Sequence, residues 1–264
     1  MSCGPETIDV AVPTHESGSV LDETLERLAR AERASSVAVS RLIVVDDKSD
    51  DDTRAIGRAA ADANGWEPVV MSRPSTLPQA REIAIERVET EWFLFLDDDV
   101  RLSETYLADA AEAVAPAVGA VQGRKTTSAS RNTDWVRRRA RRGGTHATLL
   151  RREAIEGMLY PDDLLVLEDE YTRRYVEDNG FLWIFNHQAR FDHASQERHP
   201  IGWQEGYLGG KYGLSQFHTV ALNVPFSLAE GRSPIPHAKR ALGWVAGRAH
   251  RRAASIGENG GSRS

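Results

Sequence analysis

Four short apolar segments in the first hundred residues alternate with segments of helical periodicity. Short apolar runs bounded by polar residues are typical of buried strands, and we predict such strands at 8–12, 41–45, 67–71 and 92–96. Helices are predicted between them at 20–34, 53–64 and 79–88. This order predicts an α/β fold with a mostly parallel central sheet flanked by helices.

The length of the chain favours one Rossmann-like domain of this kind. At 264 residues, a single α/β domain can bury a full core. We place this domain at 1–220 and expect 221–264 to form a helical extension with a disordered tail. In the less regular second half, helices are predicted at 104–114, 169–177 and 235–254, and strands at 119–126, 147–153, 181–185 and 189–191.

Acidic residues follow the predicted strands at their carboxyl ends. The strongest case is WFLFLDDDV at 92–100, where an apolar run leads directly into Asp97, Asp98 and Asp99. Open α/β sheets bind ligands at this edge, and right-handed crossovers bring the strand ends together. Adjacent carboxylates repel one another, and a hard cation such as Mg²⁺ or Mn²⁺ removes that penalty. The alternative is an acidic turn after a core strand.

Composition excludes several classes of function. A net charge of −6 argues against a general nucleic-acid-binding protein. Cys3 is the only cysteine, so the chain contains no disulfide framework and no cysteine-based zinc site. Neither a signal-peptide pattern nor an apolar run long enough to span a membrane is present. These features predict a cytoplasmic location.

Five motifs in order along the chain resemble those of the family-two glycosyltransferases, which are inverting enzymes with the A-type glycosyltransferase (GT-A) fold. The motifs are VAVPTHES at 10–17, IVVDDKSDDDT at 43–53, QARE at 79–82, FLFLDDDV at 93–100 and LEDEYTRR at 167–174. His193 matches a histidine that many members carry after the last strand. The resemblance covers roughly 8–195 and departs from the family at Lys48, which replaces a usual glycine.

The resemblance implies a donor site for a nucleoside-diphosphate sugar with Mn²⁺ or Mg²⁺ as cofactor. Asp99 is expected to bind the metal most directly, together with Asp97 and His193, while Asp98 points elsewhere and serves the loop. His187 and His199 compete with His193 for that role. The residues assigned to nucleotide binding are Pro13, Thr14, Glu16, Asp46, Asp47, Arg81, Asp97 and Asp98. Helix capping by Asp46 or Asp47, and an ion pair between Arg81 and an aspartate, remain open alternatives.

An inverting transfer needs a base that deprotonates the acceptor hydroxyl. By resemblance Asp169 is the first choice and Glu168 the second; the alternative is that both are acidic residues at a helix N-terminus. His146 is considered only as an acceptor contact.

Two basic segments stand out in this acidic chain. One is the run at 137–142, and the other is the predicted C-terminal helix, which also carries Leu242, Trp244 and Val245. We favour solvated helix faces, and the alternative is peripheral contact with the anionic inner face of a membrane. Such contact would suit a polyprenyl-phosphate-linked acceptor.

Together these features predict a metal-dependent inverting glycosyltransferase, a hexosyltransferase that moves one sugar to a glycan or glycolipid acceptor. The QxxRW signature of processive synthases is absent. A sugar-phosphate nucleotidyltransferase is the first alternative, but the loop THESGS at 14–19 lacks the basic residues that such enzymes use there. A non-catalytic nucleotide-sugar-binding relative is the second alternative, and the complete set of acidic motifs argues against it.

Overall fold

The computed structural model describes residues 4–126, 143–194 and 202–260, with side chains up to 253. The described residues form two compact units, the first comprising 4–126, 143–161 and 169–194 and the second 162–168 and 202–260. The second unit thus begins before the boundary at 220 that we predicted. The basic run at 137–142 and His199 lie outside the described residues.

The first half of the first unit contains every strand and helix predicted for it. The order is β1 (Thr7–Thr14), α1 (Leu21–Arg33), β2 (Ala38–Asp46), α2 (Thr53–Asn64), β3 (Glu67–Ser72), α3 (Leu77–Ile85) and β4 (Trp92–Leu96). The apolar runs in β1, β2 and β4 are buried, as expected for central strands covered on both faces.

The rest of the first unit is less regular. It contains β5 (Val100–Leu102), α4 (Tyr106–Glu112), β6 (Val118–Lys125), β7 (Ala147–Arg151), a 3₁₀ turn (Arg152–Ile155), α5 (Glu168–Asp178, of which only Glu168 belongs to the second unit) and β8 (Leu182–His193). The short β5 was not predicted. The two strands predicted at 181–185 and 189–191 are one strand, because β8 continues through an irregularity in its pairing with β6.

The eight strands form one sheet in the order β3-β2-β1-β4-β7-β6-β8-β5. Neighbouring strands from β3 to β4 are parallel, as predicted, and β6 is parallel to β8. The other pairs, including β4 with β7, are antiparallel. Since Leu96 at the end of β4 pairs with Ala147 at the start of β7, the residues that follow β4 lie beside those that precede β7.

A buried ion pair joins β1 and β2 near their amino ends. Asp9 is fully buried, and its Oδ2 accepts hydrogen bonds from Arg41 Nη2 at 2.7 Å and Glu89 N at 2.8 Å. Burial raises the pKa of Asp9, but the bonds from Arg41 and from the Glu89 and Thr90 backbone outweigh it and lower the pKa below its usual value. This pair ties two central strands to the segment that precedes β4.

The second unit is helical and contains α6 (Trp203–Lys211), α7 (Phe217–Ala221), α8 (Asn223–Ala229) and α9 (Ile235–Gly260). Two glycines in each of α6 and α9 bring the two backbones together. A Cβ on Gly206 would lie 1.9 Å from Arg240 O, and one on Gly247 would lie 2.0 Å from Tyr207 O. Among the described residues, no helix is long and apolar enough to cross a membrane.

Candidate active site

A cluster of charged side chains lies where β4 ends, β7 begins and α5 begins. Asp97, directly after β4, accepts a hydrogen bond on Oδ1 from Arg81 Nη2 at 3.1 Å. Its Oδ2 lies 2.5 Å from His146 Nδ1, and its backbone N–H donates to His146 O at 2.8 Å. The antiparallel pairing of β4 with β7 therefore sets the spacing between this carboxylate and this imidazole.

Asp169 joins the cluster from the first turn of α5. Its Oδ1 accepts hydrogen bonds from Arg81 Nη1 at 3.2 Å, from Thr145 N at 3.1 Å and from the Thr145 hydroxyl. Its Oδ2 lies 4.0 Å from His146 Nε2. Gly143 lies directly against the backbone of Asp169, and a Cβ at position 143 would be only 2.4 Å from Asp169 O. The absence of a side chain at Gly143 therefore lets the start of α5 lie this close. Asp169 is thus held through one oxygen, with the other directed towards His146.

Arg81 connects these two carboxylates. It is only 1% exposed, so its charge is almost fully removed from water. A planar guanidinium can donate to two carboxylates at once, and here it bridges Asp97 and Asp169. Arg81 thus forms an ion pair with an aspartate, which was one of the two roles predicted for it.

A second imidazole completes a set of metal-type ligands. His193, the last residue of β8, stacks edge-on against His146 with ring centroids 5.3 Å apart. Ligand atoms of Asp97, His146 and His193 all lie within 4.8 Å of one another. Asp99 Oδ2 lies 3.0 Å from His193 Nδ1. This arrangement resembles metal sites in which a carboxylate orients a ligating histidine through its other ring nitrogen.

The electrostatics of the cluster follow from this packing. Burial raises the pKa of Asp97, but the charges of His146 and Arg81 outweigh it and hold the pKa well below its usual range. Burial lowers the pKa of His146, but Asp97 and, to a smaller extent, Asp169 raise it to about 9. Imidazole is a borderline ligand, so a donor set of two imidazoles and a carboxylate suits Mn²⁺ better than Mg²⁺.

Asp98 contacts the loop after β1, unlike its two neighbours, which contact histidines. Its carboxylate accepts a hydrogen bond from the Ser17 hydroxyl, and its carbonyl accepts one from Thr24 Oγ1 at 2.7 Å. Burial is the main cause that raises the pKa of Asp98 to about 6, with a contribution from Asp97 and Asp99. Asp98 therefore has the loop contact that was expected of it.

The carboxylate of Asp46 is fully buried at the end of β2 and accepts hydrogen bonds from the groups around it. Ser72 Oγ donates to Oδ2 at 3.0 Å, Ser49 N donates to the same oxygen at 3.2 Å, and Thr14 Oγ1 donates to Oδ1 at 3.5 Å. Asp47 is partly exposed, and its Oδ1 accepts a hydrogen bond from Ser75 N at 2.9 Å. These bonds hold the loops that follow β1, β2 and β3 together.

Two residues in these loops have left-handed backbone conformations. Lys48, at the position of the usual family glycine, has a φ of 53°, and Glu16 has a φ of 51°. Glu16 Oε1 accepts a hydrogen bond from Asp50 N at 2.8 Å, which links the loop after β1 to the loop after β2. The turn that glycine would form is thus made here by lysine in the same conformation.

The structure brings most of the predicted site residues to one edge of the sheet. Pro13 and Thr14 end β1 beside Val45 and Asp46 of β2, and Glu168 is the first residue of α5. His187 lies exposed within β8, outside the set of metal-type ligands. Sequence reasoning gave His146 no part in the metal site. Only the antiparallel pairing of β7 with β4 reveals its position, and the sequence contains no local signal for that pairing.

Sequence comparison places the chain in a known family. Residues 9–175 match the family described as glycosyl transferase family 2, which is more than half of the chain. The chain therefore belongs to glycosyl transferase family 2, and it is a nucleotide-sugar-dependent glycosyltransferase. No curated protein has significant sequence similarity to it.

Solved structures share this fold at low identity. The mannosyltransferase PcManGT from Pyrobaculum calidifontis, in complex with GDP-Man and Mn²⁺, is 17% identical with a TM-score of 0.60, over 99% of this chain and 76% of that one. TarS from S. aureus is 16% identical with a TM-score of 0.58, over 83% of this chain and 42% of TarS, so the chain spans less than half of that protein.

Glucosyl-3-phosphoglycerate synthase from Mycobacterium tuberculosis, in complex with Mn²⁺, UDP and phosphoglyceric acid, is 14% identical with a TM-score of 0.53. The similarity covers 73% of this chain and 72% of the synthase. At these identities the similarity supports the GT-A fold that was predicted and leaves the substrate of this chain open.

Proposed function

We propose that the chain is a metal-dependent inverting hexosyltransferase that transfers one sugar from a nucleoside-diphosphate sugar to a glycan or polyprenyl-phosphate-linked acceptor. The observation that carries this proposal is the joint placement of Asp97, His146, His193 and Asp169, with Arg81 bridging the two carboxylates. Such a cluster combines metal ligands with a fixed carboxylate base.

The donor would bind along the carboxyl ends of β1, β2 and β4. We assign the nucleotide-binding site to Pro13, Thr14, Glu16, Asp46, Asp47, Arg81, Asp97 and Asp98, as the family resemblance implies; some of these side chains would contact the nucleotide and others would position the groups that do. Asp47 and Glu16 are accessible for such contacts, whereas Asp46 and Arg81 are buried and act through the loops and carboxylates that they hold. Donors with GDP and UDP are both supported, since PcManGT was solved with GDP-Man and TarS with UDP-GlcNAc.

Mn²⁺ or Mg²⁺ would be held by Asp97 and His193, and either Asp99 or His146 would supply a further ligand. The expectation from the sequence is Asp99, while the distances favour His146, with Asp99 orienting His193. When bound, the cation would neutralise the charge that develops on the departing diphosphate.

Asp169 would act as the base. Its Oδ1 is occupied by Arg81 and Thr145, and Oδ2 is the oxygen that can accept the proton of the acceptor hydroxyl. Because the bonds to Oδ1 fix the plane of the carboxylate, the base is preorganised for this step. Glu168 remains the second choice.

The test is an Asp169→Asn substitution. We expect transfer to fall by about 10²- to 10⁴-fold, the range that loss of a general base costs, while binding of the nucleoside diphosphate with Mn²⁺ is retained. Asp178→Asn, at the exposed far end of the same helix, is the matched control and should keep full activity. Wild-type activity in Asp169→Asn, or a greater loss in Glu168→Gln, would reject Asp169 as the base.

The acceptor and the location of the enzyme are part of the same proposal. We place the enzyme in the cytoplasm and propose that a lipid-linked acceptor brings it to the inner face of the membrane. No nucleic-acid partner is proposed, in keeping with the negative net charge.

A further inference from the structure

One face of α9 carries exposed apolar side chains in a continuous row. The row consists of Ile235, Ala238, Leu242, Val245 and Ala249, and is called the apolar stripe below. Ile235, Leu242 and Val245 are 60%, 63% and 51% exposed. With 3.6 residues per turn, the five positions span an arc of about 80° around the helix axis. Single exposed apolar side chains are common on protein surfaces, but a continuous row of them marks an interaction surface.

The orientation of the apolar stripe is set by the opposite side of the helix. Gly243 and Gly247 lie against α6 so closely that a Cβ on either would meet the α6 backbone within 2.3 Å. Trp244 also lies on that side, where its Nε1 donates to Ser215 O at 2.8 Å and its ring contacts Phe217. Trp244 is therefore part of the packing of the second unit, and the apolar stripe faces away from it.

Cationic side chains border the apolar stripe on both sides. Lys239 lies about 60° from Leu242 around the helix and Arg252 about 80° in the other direction, as the helical repeat requires. Lys239, Arg248, Arg251 and Arg252 are all exposed. The sequence from 233 to 257 contains no aspartate or glutamate, although the whole chain has a net charge of −6.

We propose that the apolar stripe is a docking surface for an anionic lipid bilayer, on which α9 lies in the plane of the interface. An apolar arc bordered by lysine and arginine is the pattern by which interfacial helices bind such membranes. The apolar side chains would enter the boundary between headgroups and acyl chains, and the cations would meet the negative headgroups.

Charge favours this occupant over a second copy of the chain. A two-fold contact through the apolar stripe would bring two sets of these cations together, and like charges across an interface oppose association. An anionic surface would instead neutralise them. The usefulness of this docking rests on the proposed function, since it would suit a lipid-linked acceptor, but binding to lipid is measurable without any transfer.

The test measures sedimentation of the full chain with phosphatidylcholine vesicles, with and without a fraction of phosphatidylglycerol, in the absence of donor. Leu242→Glu places a charge in the apolar stripe. Leu159→Glu is the matched control, because Leu159 is 69% exposed in the first unit and the change in charge is the same. Far-UV circular dichroism and Mn²⁺-dependent nucleotide binding check that both variants fold.

We expect the wild type and Leu159→Glu to bind only the anionic vesicles and to be released by high salt. Leu242→Glu should bind at least about tenfold more weakly, since burial of one leucine stabilises by more than the free energy of a tenfold change. Three results would overturn the proposal: no vesicle binding by the wild type, equal binding by both variants, or a dimer in solution that Leu242→Glu dissociates. Failure of nucleotide binding with intact vesicle binding would instead reject the proposed function.

Discussion

At the scale of single residues, carboxylates in this protein have different roles that their sequence neighbours do not reveal. Asp97, Asp98 and Asp99 are consecutive, yet their partners differ. Asp97 contacts Arg81 and His146, Asp98 contacts Ser17, and Asp99 contacts His193. Asp98 and Asp99 lie in a turn closed by a hydrogen bond from Val100 N to Asp97 O at 3.2 Å, and this turn places Asp98 against the loop after β1. Asp97 and Asp99 each contact one imidazole of the pair formed by His146 and His193, and these contacts depend on β7 and β8, which lie far away in the sequence.

A buried residue away from the site provides a prediction about stability and pH. We expect Asp9→Asn to lower the free energy of unfolding by about 3 kcal/mol at neutral pH, because Arg41 loses its buried partner. The folded-state pKa of Asp9 is lowered, so the stabilisation is present above the unfolded pKa and is lost as the pH falls through the folded value. Urea unfolding should therefore show the difference between wild type and variant shrinking below about pH 4.

Asp62→Asn, an exposed carboxylate on α2, is the control for this measurement and should be neutral. A difference between wild type and Asp9→Asn that stayed constant from neutral to acidic pH would contradict the role assigned to Asp9.

At the scale of elements, local patterns predicted the strands and helices of residues 7–96 because buried strands and amphipathic helices have clear periodicities. Local patterns failed to predict elements whose formation depends on tertiary contacts. The strand β5 is only three residues long, and β8 passes through polar residues that interrupt an apolar pattern. Helix α6 is rich in glycine, which disfavours helices locally, and it packs against α9 through those glycines.

The contact between α6 and α9 leads to a prediction with an unusual sign. In an exposed helix, replacing glycine by alanine stabilises by about 1 kcal/mol. We expect Gly247→Ala to destabilise instead, by about 2 kcal/mol, because its Cβ would collide with Tyr207 O and push the backbones apart. Ala249→Gly, on the exposed side of the same helix, should cost only the propensity term of about 1 kcal/mol.

Thermal and urea unfolding of both variants would provide the comparison. If Gly247→Ala were as stable as the wild type or more so, the close approach of α6 and α9 would be wrong.

At the scale of the whole molecule, the fold class and the sheet edge that carries the site were predictable, because crossover geometry places successive strand ends together. The composition of the cluster of metal-type ligands could not be predicted from the sequence. His146 precedes β7, whereas Asp97 follows β4 and His193 ends β8, and the antiparallel pairing of β7 with β4 brings His146 next to Asp97. This change in strand direction after β4 places His146 in the cluster, which no pattern in the sequence indicates.

Binding of metal and nucleotide should increase the thermal stability of the protein. A ligand at a hundred times its dissociation constant stabilises the folded state by about 2.7 kcal/mol. We expect Mn²⁺ with GDP or UDP to raise the melting temperature, and EDTA to remove that gain. His146→Ala and Asp99→Asn then test which of the two residues is the further metal ligand. The variant that removes a direct ligand should lose most of the rise in melting temperature, and the other variant should keep part of it.

His187→Ala, an exposed histidine of β8, is the control and should behave as the wild type. Equal stabilisation of all three variants would show that the nucleotide binds without these groups, and no stabilisation of the wild type by any nucleoside diphosphate with metal would reject the proposed donor site.

The backbone hydrogen bond from Asp97 N to His146 O affects which substitutions this site could tolerate during evolution. The bond belongs to the sheet and does not depend on either side chain. Exchange of the carboxylate or the imidazole would therefore alter the preference for a cation while the frame that holds them stayed in place. Asp46 differs, because its carboxylate itself holds the loops after β2 and β3 through hydrogen bonds from Ser49 N and Ser72 Oγ. A substitution of Asp46 would therefore displace these loops and not only change which ligand is preferred.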